Sequence, residues 1–164
     1  MRLLSIIPAF ALVLTVGMGN ARADEKGAFG LGLILGEPTG ISAKLYLSDT
    51  TAVDAAIGGA VVGKGVQGHA DYLWHPWVLT NEKSFVMPAY IGLGGRVLQH
   101  DRGDEDDDLH IGLRIVGGLS FDFREIPLDV FIEAALIGEF ASADGDHGGF
   151  GPGLNVGIGG RYYF

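Results

Sequence analysis

The sequence predicts an all-β protein: an eight-stranded antiparallel transmembrane β-barrel behind a cleaved leader. Three observations carry this. Apolar residues alternate with small or polar ones at period two through most of the chain, which is the periodicity of strands rather than helices. The 164 residues include 28 Gly and 10% aromatics, a composition suited to tightly packed strands. The closing stretch Gly151–Phe164 sets Leu154, Val156, Ile158, Gly160, Tyr162 and Phe164 on one face and Asn155, Gly157, Gly159, Arg161 and Tyr163 on the other. A strand in a soluble core has no need of two aromatics at the end of one face. A strand crossing an outer membrane does, because aromatic rings settle at the boundary between hydrocarbon and headgroups.

The amino end points to the same compartment. Met1-Arg2 is a short positive start, Leu3 to Met18 is almost wholly apolar, and Asn20-Ala21-Arg22-Ala23 places small residues where a signal peptidase cuts. Residues 1–23 are therefore expected to be a signal peptide, and residues 24–164 a single barrel domain. The apolar run is shorter than the roughly 20 residues of a spanning helix. Without the leader the chain keeps 9 Lys+Arg against 20 Asp+Glu, a net charge of −11, since only Arg2 and Arg22 are lost. That excludes nucleic acid as a partner, because phosphates demand a basic face. There is no cysteine, so stability rests on strand ladders and packing rather than on disulfides.

The strands follow in order. Gly27–Gly36 turns Phe29, Leu31, Leu33 and Leu35 one way and Gly30, Gly32 and Gly36 the other. Glu37-Pro38-Thr39-Gly40 has the residues of a tight turn. Ile41–Ser48 alternates Ile41, Ala43, Leu45 and Leu47 with Ser42, Lys44 and Tyr46, and Asp49-Thr50-Thr51 turns the chain back. Ala52–Val61 places Asp54 opposite to Val53, Ala55 and Ile57. Val66–His75 sets Gln67, His69 and Asp71 against Val66, Ala70, Tyr72 and Trp74, and residues 75–83 are expected to form a connection. Trp74 and Trp77 suit a membrane-interface belt.

Ser84–Gln99 alternates Phe85, Met87, Ala89, Ile91, Leu93 and Val97 with Tyr90, Gly92, Gly94 and Arg96. Pro88 inside it marks a bulge or a later start, since Pro cannot donate to the ladder. Leu109–Phe123 turns His110, Arg114, Ser120 and Asp122 inward, and Leu128–Gly138 turns Asp129, Phe131 and Glu133 inward. Each strand is long enough for a tilted crossing of about 9–11 residues. With an even count both ends lie on one side. The stretches Gln99–Asp108 and Glu139–Phe150 then become the longest outer loops, where an extracellular partner would bind.

An eight-stranded barrel is just wide enough to be filled by side chains or to hold one small ligand. The inward charges are Lys44, Arg96, Arg114 and Arg161 against Asp54, Asp71, Asp122, Asp129 and Glu133. Unpaired charges there are costly, so they are expected to pair in a structural network that plugs the interior. No catalytic residue, cofactor or metal ligand is expected. A lipid-modifying enzyme needs a nucleophile beside a base, but Ser120 and His110 stand ten residues apart on one strand, roughly 33 Å at strand rise. The acids of Asp101–Asp108, with Asp144 and Asp146, lack the spacing of an EF-hand loop and read as a solvated charge run. The alternatives are a soluble lipocalin-type barrel around an apolar ligand, which would need the opposite polarity, and a narrow pore, which charge pairing would block.

Three segments carry a resemblance: Gly36-Glu37-Pro38-Thr39-Gly40-Ile41-Ser42 with Lys44, Pro127-Leu128-Asp129-Val130-Phe131-Ile132-Glu133, and Gly157-Ile158-Gly159-Gly160-Arg161-Tyr162-Tyr163-Phe164. They resemble a group of small bacterial proteins, with spirochaete members, that forms a domain of unknown function similar to the OmpA transmembrane domain. The terminal Phe164 with Tyr162 two residues before it resembles the sorting signal of bacterial outer-membrane barrels, though Gly157 stands where that signal usually begins with a polar residue. The resemblance implies a location in the bacterial outer membrane, with membrane lipid and the barrel-assembly machinery as partners. It carries no catalytic residues.

Overall fold

The structure is a computed structural model, and it describes residues 27–60, 65–100, 109–141 and 150–164. The leader and the acidic run at 101–108 lie outside the described residues. Eight antiparallel strands follow in chain order: β1 (Phe29–Gly36), β2 (Thr39–Tyr46), β3 (Thr51–Ala60), β4 (Gly65–Asn81), β5 (Phe85–His100), β6 (Leu109–Phe123), β7 (Leu128–Ala141) and β8 (Phe150–Tyr163). Each pairs with its neighbours in sequence, and β8 closes on β1, with Gly30 opposite Tyr163 and Gly36 opposite Gly157. Closure pairs every strand on both sides along the body of the wall.

The alternation fixes the register. A slip of one residue would exchange the two faces, and here the faces differ sharply. Leu33, Leu93, Leu113, Leu136 and Leu154 point outward, with Leu113 69% exposed, while Arg114 and Arg161 point inward and are 1% and 0% exposed. The start of β1 and the end of β8 share one rim, the near rim, where Phe164 N donates to Phe29 O at 2.9 Å.

Several boundaries differ from the sequence expectation. The turn after β1 is only Glu37-Pro38, because Thr39 and Gly40 already pair with Gly59 and Gly58 of β3. Gly36 takes a φ of +124°, a conformation open to glycine, and Thr39 Oγ1 caps it by donating to Gly36 O at 2.9 Å. The connection expected over residues 75–83 is instead strand. β4 continues to Asn81 and pairs with β5 down to Asn81 opposite Val86. The ladder absorbs Pro76 through register shifts between Trp74 and Trp77 and between Val78 and Thr80, and Pro88 pairs opposite Val78 beside the second shift. A bulge lets a proline sit where no N–H is required. β4 and β5 thus run past the end of β3, whose last partner pair is Thr51 with Trp74. At the far rim β7 extends to Ala141, so Glu139 belongs to a strand and not to the expected loop.

Candidate functional site

Inward-facing polar residues from β2 to β8 converge in the lumen, so the candidate site is the interior of the barrel. It divides into three layers.

The near-rim layer is aromatic. Tyr46, Leu73, Tyr90, Val116 and Tyr163 cluster there with Ala52 and Ala135. Lys44 lies within this layer. Its Nζ donates to His75 Nε2 at 2.9 Å and sits 4.7 Å and 5.1 Å from the ring centroids of Tyr46 and Tyr90. Ring faces stabilise an ammonium that has left water. Tyr163 Oη donates to Asp129 Oδ2 at 2.7 Å. Asp122 lies at this rim, half-buried, directly opposite Asp129 across the β6–β7 ladder.

The middle layer holds the most deeply buried charge pairing. Arg161 Nε donates to Asp129 Oδ1 at 3.3 Å and its Nη1 to Asp54 Oδ2 at 3.4 Å, with its guanidinium 3.8 Å above the Phe131 ring. Arg114 Nε donates to both oxygens of Asp71 at 3.1 Å, and its Nη2 donates to Glu133 Oε1 at 3.3 Å. Tyr90 Oη donates to Glu133 Oε2 at 3.3 Å. His69 Nε2 stands 3.9 Å from both Asp71 Oδ2 and Glu133 Oε1. Glycines give these side chains their space: a Cβ on Gly94 would collide with the Asp71 carboxylate and the Ala70 carbonyl, and one on Gly118 with the Tyr90 hydroxyl.

The far-rim layer is wetter. Arg96 Nη1 donates to Glu139 Oε1 at 2.9 Å and to Asn155 Oδ1 at 3.2 Å, and Glu139 is 25% exposed. Gln67 Nε2 donates to Glu37 Oε1 at 2.6 Å.

The nine charged residues singled out from the sequence fall in these three layers. The structure sends Arg161 to Asp129 and Asp54, and it gives Glu133 to Arg114. His75, Glu139 and Glu37 were missed: Glu37 and Glu139 fall in an expected turn and loop, and His75 at the expected end of its strand. Parity offers the signal for two of them. His75 shares the odd positions of Gln67, His69 and Asp71, and Glu139 those of Asp129 and Glu133. Ser120 Oγ is buried without a hydrogen-bond partner among the described residues.

Comparison with solved structures finds the crystal structure of the N-terminal β-barrel domain of Pseudomonas aeruginosa OprF. The alignment covers 83% of this chain and 94% of that one at 19% identity, with a TM-score of 0.51. The fold is that of an OmpA-like eight-stranded barrel. No family model matches the chain, and no curated protein matches it.

Proposed function

We propose that this chain is a small bacterial outer-membrane barrel with a structural or surface-contact role and a lumen closed by paired charges. One observation carries the reading: the polarity of the wall is inverted relative to a soluble protein. Large aliphatic residues of every strand face outward and exposed, while Arg, Lys, Asp and Glu are buried inside. A contiguous apolar belt of that extent is far larger than the surface patches of water-soluble monomers, and lipid is its natural solvent. Tyr162 and Phe164, stacked edge to face with centroids 5.2 Å apart, lie on the outer face with Trp74 and Trp77 as the aromatic girdle. Tyr162 and Phe164 also serve as the signal read by the barrel-assembly machinery, residues 1–23 direct export, and the likeness to the spirochaete-containing group belongs with this reading. An extracellular partner would meet the segments 99–108 and 139–150.

The lipocalin alternative requires an apolar interior, against which the buried ion pairs of the middle layer weigh. A constitutive pore is disfavoured by the same pairs and by the aromatic near-rim layer.

Expression with the native leader, isolation of outer membranes, and electrophoresis of boiled and unboiled samples test the proposal. An outer-membrane band whose mobility shifts on boiling is expected. A soluble periplasmic band without a shift overturns it. Replacing both Tyr162 and Phe164 by Ala is expected to lower the outer-membrane yield several-fold, while purified variant still refolds in detergent.

A further inference from the structure

The middle layer has more negative charge than its cationic partners balance. Four buried carboxylates, Asp54, Asp71, Asp129 and Glu133, receive hydrogen bonds from two guanidiniums, those of Arg114 and Arg161. Of the other two buried cations, Arg96 donates to Glu139 and Asn155, while Lys44 donates to the His75 imidazole and acts on Asp54 and Asp129 only through space. Two carboxylate charges therefore lack a guanidinium of their own. The ladder sharpens the problem, because Asp54 and Asp71 are direct partners across β3 and β4. Like charges opposite each other on a sheet repel, and no bulk solvent screens them here.

These carboxylates converge with an imidazole. Asp54, His69 and Asp71, all buried, each bring a ligand atom to within 4.8 Å of the others. His69 and Asp71 are two residues apart on β4 and share its inward face, and His69 pairs opposite Ala56, two residues beyond Asp54 on β3. The three side chains thus rise from one small patch of rigid sheet. Asp54 Oδ2 meets Arg161, whereas Asp54 Oδ1 is buried and accepts no hydrogen bond among the described residues. The 3.9 Å between His69 Nε2 and the oxygens of Asp71 and Glu133 is too long for a hydrogen bond. It is a normal separation for two donors on one ion: with metal–ligand bonds of about 2.0–2.2 Å, donors stand about 3.0–4.2 Å apart.

We propose that Asp54, His69 and Asp71 hold one divalent transition-metal ion inside the barrel, water completing its shell. The mixture of one imidazole with carboxylates selects a borderline ion such as Zn²⁺ or Mn²⁺ over Ca²⁺, which takes oxygen alone. A divalent ion offsets the negative charge that the two guanidiniums leave uncompensated. Arg114 and Arg161 become the outer shell that orients the ligating carboxylates, a common arrangement around protein-bound metals. A carboxylate has lone pairs enough to serve both an arginine and a metal. The ion would tie β3 to β4 and close the middle of the lumen.

The test uses the full barrel, refolded in detergent micelles with Zn²⁺ or, separately, Mn²⁺, desalted, and checked for folding by heat-dependent gel mobility. Elemental analysis should find about one ion per folded barrel, and at least a tenfold loss of bound metal in the folded His69→Gln and Asp54→Asn variants. X-ray absorption on the Zn²⁺-loaded natural sequence should show imidazole scattering in the first shell, a readout that needs no variant to fold. Folded barrel that retains neither ion overturns the proposal, and so does an oxygen-only shell or retention unchanged by both substitutions. None of these readouts depends on where the barrel resides in the cell, so their failure leaves the outer-membrane reading standing.

Discussion

Arg114 and Arg96 make the same kind of contact in two different solvents. Both are lumenal arginines paired with carboxylates that reach them across the lumen from other strands. Arg114, at the middle, has partners that are 0% and 5% exposed. Arg96, one layer higher, pairs with a Glu139 that keeps a quarter of its surface in water. The comparison teaches that a barrel lumen is not one dielectric. An ion pair matters for stability chiefly through what its removal leaves behind, and that depends on depth.

Substitutions turn the comparison into magnitudes. Arg114→Met is expected to have the largest effect, about 3–5 kcal/mol of lost stability, because it strands two buried carboxylates at once. Urea unfolding in micelles, followed by Trp fluorescence, measures it. Gly94→Ala tests packing beside the ion pair: its methyl would clash with the Ala70 carbonyl and the Asp71 Cα as well as the Asp71 carboxylate, so backbone must shift, for a loss of about 3 kcal/mol. Glu133→Gln keeps the shape but removes one charge, and it weakens the bonds from Arg114 and Tyr90. About 2 kcal/mol is expected, within the range for a charged hydrogen bond, and an unchanged midpoint would exclude Glu133 from the network. Arg96→Ala should cost less, about 1–2 kcal/mol, because Arg96 is itself buried but the Glu139 it leaves behind keeps a quarter of its surface in water. Should Arg96→Ala prove as damaging as Arg114→Met, the layered picture fails. The smallest effect is a salt dependence. Raising KCl from 0.1 to 1 M should erase most of the Arg96 contribution and leave that of Arg114 nearly intact, since screening acts through water.

The alternation that reveals the strands is local, so it could be read along the chain. The outward Leu113 and inward Arg114 follow from parity alone. What the sequence hides is anything set by register between strands. Arg161 and Asp54 are far apart in sequence, and their meeting depends on how the closed sheet is staggered, which no single strand encodes. The same holds for Asp54 opposite Asp71. Proline and tryptophan misled at the near rim: His75-Pro76-Trp77 has the composition of a turn, yet the β4–β5 ladder carries it through by shifting register. Glu139 was lost because its acidic, Gly-rich surroundings suggested a loop, although its parity continues that of β7.

The overhang of β4 and β5 has a consequence of its own. Beyond His75, whose N–H still reaches Thr50 O at 2.8 Å, β4 has β5 on one side and no β3 residue on the other. Trp77, Val78 and Leu79 are all exposed along it. A straight apolar ribbon with an open edge would recruit foreign strands and seed aggregates. This one is built to refuse them. The two register shifts interrupt the regular ladder that a docking strand requires. Arg124, from the turn between β6 and β7, pins the tip through Asn81 Oδ1 at 2.6 Å and Glu82 O at 3.0 Å. The irregularity that looks like a break in the strand works as a guard on its edge.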